Sequence, residues 1–172
     1  MPAASSFIPK TSIIEWVPLE QLRGEPLRVA AAYWAMIRGE RLFPAREDLK
    51  AREIAGILPY MSLVRVIDGG ADFEHRIVGD VMVRAFSVPI QNRRFSDIAK
   101  EAPELIELAA RLFRKAVELR RPVAWRQRTG RESTHTIFTD SEILLLPLGQ
   151  TDAAVDHIVG FGVHEAKVAP AC

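Results

Sequence analysis

The apolar positions along the chain change period more than once, and each change marks an expected element. Between Pro26 and Arg38, Leu27, Ala30, Ala31, Trp34 and Ile37 recur at helical spacing. Pro26 stands where the first turn would be and Gly39 just past the last, the usual placement of those two residues at helix ends. This amphipathic segment should bury one face, with Tyr33 and Trp34 read as packing groups rather than ligand chemistry. Residues 1–24, with prolines at 2, 9 and 18 and a short apolar stretch from Ile13 to Val17, read as a lead-in that is partly ordered. Residues 41–57 read as a connector carrying a short helix from Asp48 to Ile57, entered after Pro44 and stopped before Pro59.

The period then shortens. Met61–Ile67 is rich in β-branched residues, and Phe73–Val78 alternates apolar and polar positions. Between them Asp68-Gly-Gly-Ala-Asp72 supplies residues that tolerate positive φ, so the pair is the clearest hairpin signal in the chain. After Gly79 helical pieces follow at Asp80–Phe86 and Phe95–Lys100, and then a longer helix from Pro103 to about Arg120. Leu105, Leu108, Ala109, Leu112, Ala116 and Leu119 form its apolar stripe. Three further strands are expected at Val123–Thr129, Thr134–Leu148 with an interruption near Thr139–Ser141, and Asp156–His164.

Two hairpin strands, a helical middle and three antiparallel strands make an α+β order with a five-stranded antiparallel sheet. The middle helices would cover one face. The other would be wet unless the Pro26–Arg38 helix, or a second subunit, packs on it.

Composition narrows the options. At 172 residues the chain has room for one domain, taken as 25–165 with a tail at 166–172. With 23 basic and 22 acidic side chains the formal charge is +1, which removes the electrostatic case for a nucleic-acid or acidic-membrane binder. The only cysteine is Cys172, so no internal disulfide forms. No charged leader runs into an apolar stretch of signal length, and the strongest apolar run, Ile143–Leu148, falls far short of the roughly 20 residues of a membrane span. The expected location is the cytoplasm.

Motifs for catalysis are missing from this sequence: it has no nucleophile elbow, phosphate loop or paired-carboxylate motif, so no catalytic activity is expected. Ser133 and His135 stand two apart on an expected strand, as side chains do in many inert sheets. His75, His135, His157 and His164 all fall on expected strands, and an odd separation puts His157 and His164 on opposite faces, so no metal clip follows. Gly160-Phe-Gly162 reads as a close-packed strand. Residues 120–131 hold the one concentration of arginines. On the strand within it Arg126 and Arg128 share a face opposite Trp125 and Gln127. An alternative function is therefore nucleotide or nucleic-acid binding through Arg126 and Arg128; the plainer reading packs Trp125 inside and pairs the arginines with Glu132 and neighbouring acids.

Several stretches carry a resemblance to a known family: Tyr33-Trp34 with Arg38-Gly39, Leu42-Phe-Pro-Ala-Arg46, Leu58-Pro59, Asp72-Phe-Glu-His-Arg-Ile-Val-Gly79, and Leu144-Leu-Leu-Pro-Leu148 with Val155-Asp156. In order and spacing, over roughly residues 26–163, they resemble the PAS fold and, more closely, a short stand-alone PAS-like family found mostly in alphaproteobacteria. Where members often carry a Gly-Arg-Asp-like turn, this chain has Ser87-Val-Pro-Ile-Gln-Asn92. The resemblance implies a sensory or regulatory module that binds a small molecule or a protein partner. It also implies a pocket between sheet and middle helices, with Val64, His75, Ile77, Met82, Phe86, Trp125 and Phe161 as candidate lining. Among PAS cofactors, a cysteine-linked flavin or chromophore adduct is disfavoured because no cysteine precedes position 172, and a helix-ligated haem because no histidine lies between Gly79 and Pro122. No effector fits within the length, so output would pass through a homodimer or a signalling partner docked on the N-terminal helix.

Overall fold

A computed structural model describes residues 13–86, 88–128 and 138–166. Its elements are β1 (Ile13–Trp16), α1 (Glu25–Arg38), β2 (Met61–Ile67), β3 (Asp72–Val78), α2 (Asp80–Ala85), α3 (Phe95–Ile98), α4 (Pro103–Leu119), β4 (Val123–Arg128), β5 (Phe138–Leu148) and β6 (His157–Ala166). The strands form one antiparallel sheet in the order β1-β4-β5-β6-β2-β3.

The sheet has six strands where the sequence pattern predicts five. The extra one is β1, drawn from the lead-in. It pairs with β4 from Ile13 opposite Arg128 to Trp16 opposite Trp125, and the two indoles meet edge to face at 6.0 Å. A four-residue strand carries too little periodicity to be read alone; β4 supplies the template. The short helix expected at Asp48–Ile57 is replaced by 3-10 turns at Arg46–Asp48 and Ala51–Tyr60, the second broken at Ile54, whose φ of −121° leaves the helical region.

The β2–β3 hairpin turns through Asp68, Gly69 and Gly70, all at positive φ, a conformation glycine enters without steric penalty. Further along, Leu63 faces Ile77 but Val64 faces His75, leaving Arg76 as an extra residue on β3. That bulge reverses the in-out alternation beyond it.

Sheet position follows from β5. Leu144, Leu145, Leu146 and Leu148 are each 1% exposed or less. Consecutive strand residues point to opposite faces, so a run buried throughout requires cover on both. Helix α1 lies against β5 and β6 on one side, and α4 and α2 against the same strands on the other. Trp34 ties α1 down by donating its indole N–H to the Pro147 carbonyl at 2.9 Å, while Leu27 and Ala30 bury beside it.

Helix α1 begins at Gly24 without a side-chain cap of its own. Its missing acceptor comes from across the sheet. The Glu142 carboxylate, 6% exposed on β5, accepts the backbone N–H of Arg23 at 3.0 Å and of Gly24 at 2.8 Å, an anion placed where the helix dipole favours one. It also holds Arg126 at 3.0 Å, whose guanidinium donates to the Gln21 carbonyl. Gly24 is required by proximity: a Cβ there would lie 2.9 Å from Val163 Cγ2.

Glu142→Ala should lower the unfolding free energy by about 3 kcal/mol, because it strands three donors, one of them a guanidinium. Arg128→Ala removes only the exposed pair with Asp140 and should stay within about 0.5 kcal/mol of the parent. Urea denaturation measures both; a Glu142→Ala loss no larger than that of Arg128→Ala would contradict the docking role.

Candidate functional site

Between the sheet and the middle helices lies a cavity of about 130 Å³. The helical side and the loop after α2 contribute Met82, Ala85, Phe86, Ile90, Phe95, Leu105, Ile106, Leu108, Ala109, Leu112 and Phe113, an apolar roof. Polar groups come from the floor: Ser62 and His75 on the hairpin, Gln127 on β4, Ser141 on β5 and His164 on β6. Strand register explains the grouping, since Ser62 pairs with Gly160 and Ser141 with both Gln127 and His164, so these residues share one face.

The floor is low over β6 because glycines replace side chains there. Gly160 forms part of it, and a Cβ at that position would lie 3.1 Å from Ser62 Oγ and from Leu145 Cδ2. At Gly162 the vacated space is taken by Ile143, His164 and Met82, whose side-chain ends would all lie within 3.1 Å of an added Cβ. Here the close-packed reading of Gly160-Phe-Gly162 has its physical form.

One wall is aromatic. Phe95 packs at a tilt against His75, 5.0 Å between ring centres, and against Phe73 at 5.2 Å, and meets Phe113 edge to face at 5.2 Å. The His75 imidazole is fixed by these rings, and its Nδ1 is buried without a hydrogen-bond partner. Burial lowers the His75 pKa to about 4. It lowers that of His164, whose Nε2 lies 3.4 Å from Met82 Sδ, to about 4 as well. Both imidazoles are neutral at pH 7.

The sequence model of the PAS domain family matches residues 22–163. The chain belongs to the PAS domain family. No curated protein and no solved structure gives a significant match. Taken without β1, the strand order of this PAS domain is β4-β5-β6-β2-β3, with the hairpin joined through β2 to β6 so that it and the last three strands form one sheet.

Of the residues expected in the pocket of this PAS domain, His75, Met82, Phe86, Trp125 and Phe161 border the cavity. Val64 and Ile77 do not. Val64 is fully buried, but it stands level with Ile158, a full side chain, rather than with the bare backbone of Gly160. Ile77 is 44% exposed: the bulge at Arg76 turns it off the face that His75 occupies, so the two-residue spacing between them misleads. Ser62, Gln127, Ser141 and His164 were missed. Gln127 was already placed on the Trp125 face by alternation, but the others needed the register between strands.

Arg126 and Arg128 lie outside this cavity, beside an open groove that also holds Asp140, Glu142 and Glu165. Arg126 is held by Glu142 and Arg128 by Asp140; Arg131, Glu132, Ser133 and His135 fall outside the described residues. Among the described residues no three His, Cys, Asp or Glu side chains converge as metal ligands, and no helix is long and apolar enough to cross a membrane. The cavity is smaller than the roughly 150 Å³ that accommodates benzene in an apolar protein interior. A tricyclic flavin or a haem therefore does not fit it.

The two buried histidines give stability a specific pH dependence. The unfolded chain protonates them near 6.5 and the folded one only near 4, so their contribution is complete above pH 7 and is lost as pH falls from 6.5 towards 4. Between pH 7 and pH 5 each should remove about 2 kcal/mol, in a window above the titration of unfolded carboxylates. Urea midpoints at the two pH values measure the loss, and His75→Phe should reduce it by about half; a loss of the same size in His75→Phe would show that His75 is not buried neutral.

Proposed function

We propose that this PAS domain is a sensory or regulatory module that holds a small molecule between its sheet and helices α2 and α4, and passes the binding event to another protein without catalysing a reaction. The observation that carries this reading is the cavity itself: apolar across its helical roof, polar along its strand floor, with a buried imidazole lacking a hydrogen-bond partner in its wall. Cavities of that kind are the usual small-molecule receptors. The lining supports a binding role over catalysis, because its described residues include no carboxylate to orient a histidine base, no cysteine and no cationic side chain to stabilise developing negative charge.

Output through α1 is favoured by its outer face. The inner stripe is occupied by the chain's own sheet, while Val29 and Met36, seven residues apart and so on one side of the helix, are 44% and 68% exposed. That face is the proposed contact for a second copy of the chain or a signalling partner.

Native mass spectrometry of the protein after exposure to a small-molecule extract of its host should show a bound organic adduct. Ala109→Phe, which extends a ring into the cavity from α4, should abolish it with the fold intact by circular dichroism. An adduct that persists unchanged in Ala109→Phe would place binding elsewhere. For the output surface, sedimentation equilibrium should show a concentration-dependent dimer that Met36→Glu weakens at least tenfold, on the order of the loss for a desolvated charge at an interface; a parent protein that stays monomeric would remove the homodimer.

A further inference from the structure

We infer that the ligand of this cavity is an uncharged, single-ring aromatic molecule carrying one hydroxyl or equivalent group that hydrogen-bonds to the His75 imidazole. The inference deepens the small-molecule reading above and rests on it. Four observations converge.

Size comes first. About 130 Å³ in a cavity that is not fully enclosed sets the limit at a single six-membered ring, against the roughly 150 Å³ of a closed apolar cavity that takes up benzene. Charge comes second. Among the described residues that line it none is Asp, Glu, Lys or Arg, so a carboxylate or ammonium ligand would lose its hydration and find no counter-charge among them, a heavy penalty in an apolar interior.

Shape and polarity complete the specification. Phe86, Phe95, Phe113 and Trp125 line the cavity, offering ring faces and edges to which an aromatic ligand packs in tilted or edge-on geometry. Among the polar groups of the floor His75 is set apart by its unpartnered nitrogen. It is 8% exposed, its ring is fixed against Phe95, and its Nδ1 has no partner. A neutral imidazole has one N–H donor and one nitrogen acceptor, and buried polar groups are rarely left unmatched in native proteins. A hydroxyl can both donate to and accept from it, and the hydrogen bond it completes is worth about tenfold in affinity.

The test titrates the full chain, labelled at its methionine methyls, with phenol, toluene and benzoate at pH 7 while following the Met82 methyl resonance by NMR. Phenol and toluene should both move the signal to saturation, phenol with about tenfold lower Kd, and benzoate should leave it in place. In His75→Phe, phenol should fall to the affinity of toluene while toluene stays within about twofold of its parent value; His75→Gln should recover part of the phenol preference. If toluene binds as tightly as phenol, or if His75→Phe leaves phenol unchanged, the assignment to His75 is overturned while the cavity stands as a binding site. Benzoate binding as tightly as phenol overturns the uncharged class. If none of the three probes moves Met82, the single-ring class is overturned, and the adduct experiment above decides the small-molecule reading separately. Should His75→Phe not fold, the comparison of the three probes on the parent protein still decides.

Discussion

Burial of β5 on both faces is the constraint from which the rest of the molecule follows. Leucines at 144, 145, 146 and 148 alternate between the two sides of the sheet and are all removed from water. Each such side chain contributes roughly 1.5–3 kcal/mol when buried, and none can contribute on a face left open. One face is closed by α1 and the other by α4 and α2. The N-terminal segment is thus part of the core, and the Glu142 carboxylate that receives its first amide hydrogens fixes where along β5 it starts. That same contact occupies Arg126, so one of the two arginines considered for phosphate recognition has a role in holding the sheet to its cover.

The cavity is a local exception to close packing on the middle-helix face. Helix α4 spans strands whose side chains fill the gap at Leu145 and Ile143, but β6 passes beneath with Gly160 and Gly162. Bare backbone lets Met82, Ile143 and His164 converge at one point and leaves room beside them. Interiors of folded proteins tolerate few voids larger than a water molecule, and one edged by an unmatched imidazole carries a penalty in both packing and hydrogen bonding. The ligand proposed for this cavity would relieve both together and so couple binding to stability.

Local chemistry made much of this architecture legible. Asp68-Gly-Gly placed the hairpin, and Pro103 with the leucine stripe placed α4, whose span of Pro103–Leu119 differs from the expected one by a residue. The lead-in strand β1 was not legible, because its pairing partner lies more than a hundred residues away and short strands owe their stability to that partner. Within the site, Trp125 and Gln127 followed from alternation along one strand. Ile77 did not, because a single extra residue at Arg76 reverses the face of everything beyond it, and no residue type announces such a bulge. Ser141 and His164 meet only through strand register, a relation between segments that a single-strand pattern does not contain.

The small-molecule reading depends on real space above Gly160. A crystal structure of the protein determined under xenon pressure addresses it directly, since xenon enters apolar cavities and scatters strongly. Xenon should occupy a position between Met82, Leu112 and Ile143, three residues that line the space, and should be displaced from Ala109→Phe. Side chains packed across that position, with no xenon bound there in the parent protein, would contradict the existence of the site.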